Sequence, residues 1–242
     1  MSEYLGIITW NVRGDLATSS SAGDREDDLH NVLDELASEP DKPVHFICLQ
    51  ETSGNDGALK DYLETEGYTC HTLREGNGQG DSYVFAAAPS SGFTFDAAPV
   101  QCLFQYRSPT GSPLRYPAAA QLTRASDGLK AAVYTYHASL DGGLVEGLEK
   151  FSEFAGNTAA GGKVHYVLAA GDFNITSEST IYVPRLGKDV RFMGQIFPGF
   201  VGVSHHLDHV MCYPDVGLRN IRGDAYHTTS DHKLLYARIK IG

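Results

Sequence analysis

The sequence of 242 residues predicts an α/β sandwich with about ten strands and a few helices. A strand-helix-strand unit occurs near the N-terminus and again in the second half, and short candidate strands fill the residues between and after the two units. Hydrophobic residues make up 42% of the chain and are spread along its whole length, which excludes a disordered protein. No linker of domain-separating length interrupts the pattern, so we expect a single domain over residues 1–242.

The first unit begins with residues 4–12, whose β-branched and aromatic content predicts a strand, and a loop rich in Gly and Ser follows it. Four apolar residues at the spacing i, i+3, i+4 and i+7 predict one buried helix face: Leu29, Val32, Leu33 and Leu36. Residues 44–50 are apolar on both faces and predict an interior strand. Residues 24–41 also carry eight carboxylates, which we interpret as the solvated face of the helix.

The second unit combines a helix with a buried strand at residues 163–170, which runs into the sequence GDFN at 171–174. Its helix is indicated by Leu144, Leu148, Phe151 and Ala155. Seven further segments have the composition of short strands: residues 68–73, 82–88, 100–106, 117–123, 129–137, 207–213 and 232–241. With the strands of the two units, these segments make up the expected strand content.

The charge, the cysteine spacing and the hydrophobic runs of the chain argue against several classes of function. Lys and Arg number 19 and Asp and Glu 30, so the net charge is −11, which speaks against a protein that holds nucleic acid by bulk positive charge. The charge is uneven, because basic residues outnumber acidic ones over residues 182–242. The four cysteines are widely spaced and predict buried thiols rather than disulfides or a zinc site. The sequence shows no signal peptide and no membrane-spanning run, so we expect a cytoplasmic protein or an effector domain delivered by a route that the sequence does not reveal.

Polar residues end or follow the predicted strands, and strand ends on one edge of an α/β sheet converge on one crevice. These residues are Asn11, Glu51, His137, Asp172, Asn174, Asp208, Asp231 and His232. Clustered carboxylates repel one another, and a hard cation such as Mg²⁺ relieves this repulsion while leaving positions for a substrate phosphate. We expect His232 to act as general base, oriented by Asp208. His137 would then serve the leaving oxygen, with Asp81 as its orienter.

Six short motifs carry a resemblance to a known family. They are TWNV at 9–12, LQET at 49–52, YHAS at 136–139, GDFN at 171–174, LDHV at 207–210 and TSDH at 229–232. In order and spacing they resemble the motifs of the endonuclease/exonuclease/phosphatase superfamily, the deoxyribonuclease I-like proteins. Within it the chain resembles pancreatic-type deoxyribonuclease and, over residues 137–151 and 228–232, the catalytic nuclease subunit of cytolethal distending toxin.

The resemblance implies a four-layer α/β/β/α sandwich of two packed mixed β-sheets flanked by helices. It also implies that Glu51 is the principal Mg²⁺ ligand, assisted by Asn11 and Asp231, with Mn²⁺ or Ca²⁺ able to take the place of Mg²⁺. Asp172 and Asn174 would position the phosphate or a second metal ion.

The resemblance further implies that two pairs, His137 with Asp81 and His232 with Asp208, flank the scissile bond. Asp81 stands where the deoxyribonucleases carry a glutamate, so this pair departs from the family pattern. Arg115, in the sequence RYPA at 115–118, matches an arginine that these nucleases place against DNA phosphate.

The predicted function is that of a Mg²⁺-dependent phosphodiesterase, a DNA endonuclease of toxin or effector type with low sequence specificity. A phosphoinositide or other lipid head-group phosphatase and an abasic-site repair nuclease are the alternatives on the same scaffold. Against the inositol-phosphatase branch, Ile175 follows Asn174 and His209 follows Asp208, where that branch carries Tyr and Arg. A catalytically silent binding module, recognised by an immunity or carrier protein, is a third alternative.

Taken singly, each of these polar residues also fits a turn, a helix cap or a satisfied buried group, and only their joint pattern favours a catalytic site. The sequence SHHLDH at 204–209 imitates part of a zinc motif, but Ser204 stands where the first histidine of that motif would be. We therefore interpret His205, His206 and His209 as residues that flank the site or face the substrate.

Overall fold

The computed structural model describes residues 4–12, 19–52, 56–74, 82–102, 115–138, 144–183, 187–214 and 216–241. The α-helices within these ranges are α1 (Ser19–Ala37), α2 (Asp56–Thr65) and α3 (Leu144–Ala160). The strands are β1 (Tyr4–Asn11), β2 (Phe46–Gln50), β3 (Thr69–Arg74), β4 (Ser82–Ala87), β5 (Phe93–Phe95), β6 (Val100–Gln101), β7 (Ala118–Arg124), β8 (Lys130–His137), β9 (Tyr166–Asp172), β10 (Thr180–Val183), β11 (Lys188–Arg191), β12 (Val201–His205), β13 (Asp208–Tyr213), β14 (Ile221–Tyr226) and β15 (Leu234–Lys240).

The first sheet contains six strands in the order β14-β15-β1-β2-β4-β3. Its central pair, β1 and β2, is parallel, and the other neighbours are antiparallel. Helix α1 makes the crossover between β1 and β2, as a parallel pair requires. Asn11 and Gln50 are partners at the carboxyl end of this pair, so their side chains share one face of the sheet.

The second sheet repeats this plan. Its order is β12-β13-β9-β8-β7-β5, with β6 also paired to β7, and its central pair, β8 and β9, is parallel and connected by α3. At the carboxyl end of this pair His137 is the partner of Asp172. Strands β10 and β11 form a separate two-stranded ribbon between β9 and β12 in the chain.

The two sheets pack face to face, with β1 against β9 and β13, and β2 against β8 and β9. The core between them takes alternate residues from each sheet, such as Ile7, Phe85 and Leu168. On the outer side of the first sheet, Trp10 packs in a second core with apolar residues of α1 and α2. On the outer side of the second sheet, Phe151 of α3 packs in a third core. The layers are therefore helix, sheet, sheet and helix, which confirms the predicted sandwich.

The elements that the sequence analysis did not predict are α2, β5, β10, β11, β12 and β14. Strands β10 and β14 carry mainly exposed or half-buried side chains, so they lack the apolar content by which a strand is recognised. The predicted strand at 100–106 is present as Val100–Gln101, and residues 103–106 lie outside the described residues. None of the described helices combines the length and the apolar character that crossing a membrane requires.

Candidate active site

The carboxyl ends of the two parallel pairs meet at one end of the sandwich. Asn11 ends β1 and Glu51 follows β2, whereas His137 ends β8 and Asp172 ends β9. Because β1 packs against β9 and β2 against β8, the polar residues of the two sheets face one another across the inter-sheet space. Asn11, His137 and Asp172 are almost fully buried there.

Five side chains form an alternating chain of carboxylates and imidazoles: Glu51, His137, Asp172, His232 and Asp208. Glu51 Oε1 lies 3.0 Å from His137 Nδ1, and His137 Nε2 lies 3.6 Å from Asp172 Oδ2. Asp172 Oδ2 is in turn 3.5 Å from His232 Nε2, whose Nδ1 lies 3.0 Å from Asp208 Oδ2. The two outer contacts, Glu51 to His137 and Asp208 to His232, have hydrogen-bond length. The two inner contacts are longer, and they join the Nε2 atoms of both histidines to the same carboxylate oxygen, Asp172 Oδ2.

The strand register explains why these residues meet. His137 pairs with Asp172 across β8 and β9, and Asp172 pairs with Asp208 across β9 and β13. Cross-strand partners lie side by side on one face of a sheet, so the three residues form a single row. Gly171 precedes Asp172, and a Cβ there would lie 2.0 Å from the carbonyl oxygen of Tyr136. Glycine at 171 therefore lets β9 approach β8 closely enough to place Asp172 beside His137.

Asp172 is fixed by donors from both sheets. Asn11 Nδ2 donates to Asp172 Oδ2 at 3.1 Å, and the backbone N–H of Asn174 donates to Oδ1 at 2.9 Å. Asn174 Nδ2 donates to the carbonyl of Ala138 at 2.5 Å. Asn174 and Glu51 both have φ of 51°, a left-handed conformation that costs about 1–3 kcal/mol in a non-glycine residue. The surrounding contacts hold this strained backbone at the site.

His232 and Asp208 form a dyad in which Asp208 is buried and the His232 side chain is 17% exposed. Burial alone would lower the pKa of His232, but the hydrogen bond and charge of Asp208 outweigh it and raise that pKa above its usual value. Burial also raises the pKa of the Asp208 carboxyl to about 6, against the lowering effect of His232. Asp208 Oδ1 is buried without a hydrogen-bond partner among the described residues. The dyad therefore holds a proton between an imidazole and a carboxylate that is poorly solvated.

His137 has a different environment. Arg115 Nη1 lies 2.8 Å from His137 Nδ1 and also contacts Nε2, and it is 4.0 Å from Glu51 Oε1. The His137 side chain is 3% exposed, whereas that of Arg115 is 31% exposed and reaches the site from the solvent side. A guanidinium in this position is suited to hydrogen-bonding an anionic phosphoryl oxygen.

Helix α1 anchors the loop that carries His232. Asp28 Oδ2 accepts hydrogen bonds from both the backbone N–H and the Oγ1 of Thr229, each at 2.6 Å. The carbonyl of His232 accepts from Trp10 Nε1 at 3.3 Å and from Thr228 Oγ1 at 2.7 Å. The sequence predicts a solvated helix face for Asp28, and in the structure this half-buried carboxylate also binds the loop.

Gln50 is a second residue that the sequence analysis did not select. Its fully buried Nε2 donates to Thr9 Oγ1 at 3.0 Å in the first sheet and to Thr135 Oγ1 at 2.8 Å in the second. Thr135 lies two residues before His137, so this amide ties the two sheets together directly beneath the site. The signal that could have drawn attention to Gln50 is that it is the polar residue at the end of an otherwise apolar strand.

Two predicted residues, Asp231 and His209, are not members of the alternating chain. Asp231 is exposed, and its carboxylate lies 3.5 Å from Ser230 Oγ. Asp81 lies outside the described residues. His209 was expected to flank the site or face the substrate, and this expectation is wrong: the side chain is fully buried, its Nε2 lies 2.6 Å from the carbonyl of Ile175, and it packs edge-on against Phe173. His209 follows Asp208 on a strand, so its side chain points to the opposite face.

The donor set fits a divalent cation. Ligand atoms of Asp172, Asp208 and His232 lie within 4.8 Å of one another, and Glu51 adds a carboxylate that is 15% exposed. Oxygen-rich groups of this kind suit hard cations. The partnerless Oδ1 of Asp208 is a further buried acceptor in the same group.

The family whose model this chain matches consists of hydrolases that act on phosphoester bonds. The chain belongs to the endonuclease/exonuclease/phosphatase family, whose model matches residues 8–232. Members of this family are generally dependent on divalent metal ions. No curated protein matches the chain.

Solved structures with the same fold belong to enzymes that differ in their substrates. Truncated Caenorhabditis elegans TDP2 has a TM-score of 0.68 and 14% identity, covering 98% of this chain and 97% of that one. Danio rerio TDP2 complexed with single strand DNA product has a TM-score of 0.62 and 17% identity over 97% of this chain and 98% of that one. A mannosyl-6-phosphatase of Bacteroides thetaiotaomicron has a TM-score of 0.66 and 14% identity over 96% and 98%. At these identities the likeness shows the fold.

Proposed function

We propose that this protein is a Mg²⁺-dependent phosphodiesterase that cleaves DNA internally with low sequence specificity. The observation that carries the proposal is the alternating chain, in which two imidazoles with different partners face one buried carboxylate. Two histidines on either side of a phosphorus atom can supply the base and the acid that hydrolysis of a diester requires. Danio rerio TDP2, which shares the fold, is complexed with single strand DNA product, and this supports a DNA substrate.

His232 is the proposed general base. Its Nδ1 is held by Asp208 at 3.0 Å, so that Nε2 is left to accept a proton from water. The water then attacks phosphorus in line with the leaving oxygen. The anionic partner stabilises the imidazolium formed in this step, and the anchored loop keeps the ring in place.

His137 and Arg115 are proposed to act on the other side of the phosphorus. His137 donates a proton toward the departing 3′ oxygen, and Asp81 keeps its proposed role as the partner of His137. Arg115 and Asn174 bind the phosphoryl oxygens, on which negative charge collects in the transition state. Asp172 fixes the position of Asn174 through the hydrogen bond to its backbone.

The metal ligands are proposed to be Glu51, Asn11 and Asp231, as the family resemblance implies. When bound, Mg²⁺ would neutralise charge on the phosphoryl oxygens, and Mn²⁺ or Ca²⁺ could take its place. Glu51 is in the position best suited to this role, because its carboxylate is partly open to solvent beside the buried acids.

A phosphomonoesterase is the second candidate function. The mannosyl-6-phosphatase of Bacteroides thetaiotaomicron carries a phosphatase activity on the same fold, and lipid head-group phosphates are a related substrate class. A role as a toxin or effector, with an immunity or carrier protein as partner, rests on the resemblance of the motifs to the toxin subunit.

A paired assay tests the proposal. Supercoiled plasmid is incubated with the wild-type chain in Mg²⁺ and in EDTA, and phosphate release from mannose 6-phosphate and from phosphoinositide vesicles is followed in parallel. We expect nicking in Mg²⁺, none in EDTA, and little phosphate release. Phosphate release without nicking would favour the phosphatase, and the absence of both reactions would favour a silent binding module.

A further inference from the structure

Four cationic or imidazole side chains, here called the rim cluster, lie beside the active site: His205, His206, His227 and Lys233. His205 ends β12 and His206 begins the two-residue turn to β13. His227 directly follows β14, and Lys233 directly precedes β15. The proposed function assigns no role to any of them.

The packing of the two sheet edges brings these segments together. Strands β12 and β14 are the edge strands of the two sheets, and a Cβ on Gly223 of β14 would lie 2.7 Å from Val203 Cγ2 of β12. Glycine at 223 therefore allows the two edges to approach closely. The residues that extend beyond these edges, His205 and His227, are consequently neighbours at the end of the sandwich where the active site lies.

The alternation of side chains along β12 directs His205 toward the face that carries the active site. Val201 of β12 and Leu235 of β15 face the core between the sheets. His205 lies four residues from Val201 on the same strand and so has the same orientation. Lys233 precedes β15, and its neighbour His232, whose ring lies in the active site, places it at this end of the sandwich. His205 is also the cross-strand partner of Asp208. It thus extends the row of His137, Asp172 and Asp208 by one strand, a spacing of about 5 Å.

The local charge favours an anion over a metal ion. The His205 and His206 rings lie edge to face with centroids 4.5 Å apart. Burial lowers the pKa of His205, and the neighbouring His206, Lys233 and His227 lower it further. His206, Lys233 and His227 therefore lie close enough to the His205 ring to act on it electrostatically, and Lys233 is the cation among them. A Lys ammonium among imidazoles opposes a bound cation and attracts a phosphate.

The backbone of His206 supports a functional role for the turn. His206 has φ of 51°, in a two-residue hairpin connection where glycine or asparagine is the usual residue. Within the described residues, Glu51, Asn174 and His206 are the non-glycine residues with positive φ. The other two belong to the proposed active site, and left-handed residues of this kind cluster where side chains bind ligands.

We infer that the rim cluster is a second phosphate subsite, which binds a backbone phosphate next to the scissile one along the same nucleic-acid strand. The inference rests on the proposed nuclease function and deepens it, because it makes a polymeric phosphodiester the preferred substrate. Lys233 supplies the fixed positive charge, and the three imidazoles supply further N–H donors. A lone phosphomonoester would leave this subsite unused.

The test measures binding and turnover with the full chain. Binding of a 5′-fluorescein-labelled single-stranded DNA 12-mer is followed by anisotropy in EDTA, for the wild type, Lys233→Gln, Lys233→Arg and Lys240→Gln. Lys240 is exposed at the opposite end of β15 and matches the charge change. We expect Lys233→Gln to weaken binding about tenfold and to reduce the salt slope by about 0.7. Lys233→Arg should restore most of the affinity, and Lys240→Gln should differ from the wild type by less than about twofold.

The turnover arm compares kcat/KM for the 12-mer with kcat/KM for bis(p-nitrophenyl) phosphate, which has no neighbouring phosphate. We expect Lys233→Gln, and the double variant His205→Gln with His227→Gln, to lower the ratio of these two values by about tenfold. Equal effects of Lys233→Gln and Lys240→Gln on binding would overturn the subsite, even if the wild type cleaves DNA. Lys233-dependent binding by a chain that hydrolyses neither substrate would instead overturn the nuclease function and leave the subsite supported.

Discussion

The two active-site histidines are positioned by different means. His137 ends a central strand, so the pairing of β8 with β9 fixes it, and its ring contacts a carboxylate and a guanidinium. His232 lies in a loop, and a single buried carboxylate, Asp208, holds its ring. The loop itself depends on contacts with α1 and β1. One histidine is therefore rigid because of the sheet, and the other because of hydrogen bonds to distant elements.

This difference separates the proposed roles of the two rings. An anionic partner raises the pKa of His232 and stabilises its protonated form, as a general base requires. The guanidinium beside His137 adds positive charge on that side of the site, where the phosphoryl and leaving oxygens would lie. The proposed site thus has carboxylates alone around the histidine on the side of the water, and a carboxylate together with a guanidinium around the histidine on the side of the departing group.

The largest expected effect comes from removing either ring. His232→Ala and His137→Ala should each lower kcat for plasmid nicking by roughly two or more orders of magnitude, with an unchanged circular dichroism spectrum. His30→Ala, which alters an exposed histidine of α1, is the control and should retain activity. Wild-type nicking by either active-site variant would contradict its assigned role.

Replacing the carboxylate partner of His232 tests whether Asp208 controls the protonation of this ring. Asp208→Asn should lower kcat by about two to four orders of magnitude, because the amide no longer stabilises the imidazolium or its tautomer. Asp208 raises the pKa of His232, so the Asp208→Asn variant should have a His232 ring that loses its proton at lower pH. The acidic limb of the kcat profile should therefore move to lower pH. The residual activity is measured between pH 5 and 9. An acidic limb at the wild-type position would show that another group limits the rate.

These two histidines also show how far the sequence predicts the site. His137 and Asp172 could be predicted together, because strand ends of parallel pairs converge and the pattern of β8 and β9 is plainly apolar. The anchoring of the His232 loop could not be predicted, since the hydrogen bond from Thr229 to Asp28 joins residues 201 positions apart. In the sequence Asp28 is one acid among eight over residues 24–41. Strands β12 and β14, at whose ends His205 and His227 lie, could not be predicted because their side chains are largely exposed or half-buried.

Substitution of the proposed metal ligands is expected to have a smaller effect on nicking activity. Glu51→Gln should raise the Mg²⁺ concentration for half-maximal nicking by about tenfold or more, because a carboxylate is exchanged for a neutral amide. Asp231→Asn should raise it less, since Asp231 is exposed to water. Titration of activity with Mg²⁺ after EDTA treatment measures both. An unchanged Mg²⁺ requirement in Glu51→Gln would favour the buried group of Asp172, Asp208 and His232 as the metal site.

The smallest effect on activity is expected from loss of the contact between Asp28 and Thr229, which fixes the loop that carries His232. Asp28 accepts two hydrogen bonds from Thr229, so Asp28→Asn should loosen the loop and lower kcat by about tenfold. The pKa of His232 depends on Asp208 rather than on Asp28, so the acidic limb of the pH profile should stay in place. Asp27→Asn changes the adjacent exposed carboxylate and serves as the matched control. In a double-mutant cycle, Thr229→Val should add little to Asp28→Asn, because the Oγ1 hydrogen bond that Thr229→Val removes is one of the two that Asp28→Asn already weakens. Full additivity of the two losses would mean that Asp28 and Thr229 act independently of each other, and an unchanged kcat in Asp28→Asn would mean that His232 needs no support from α1.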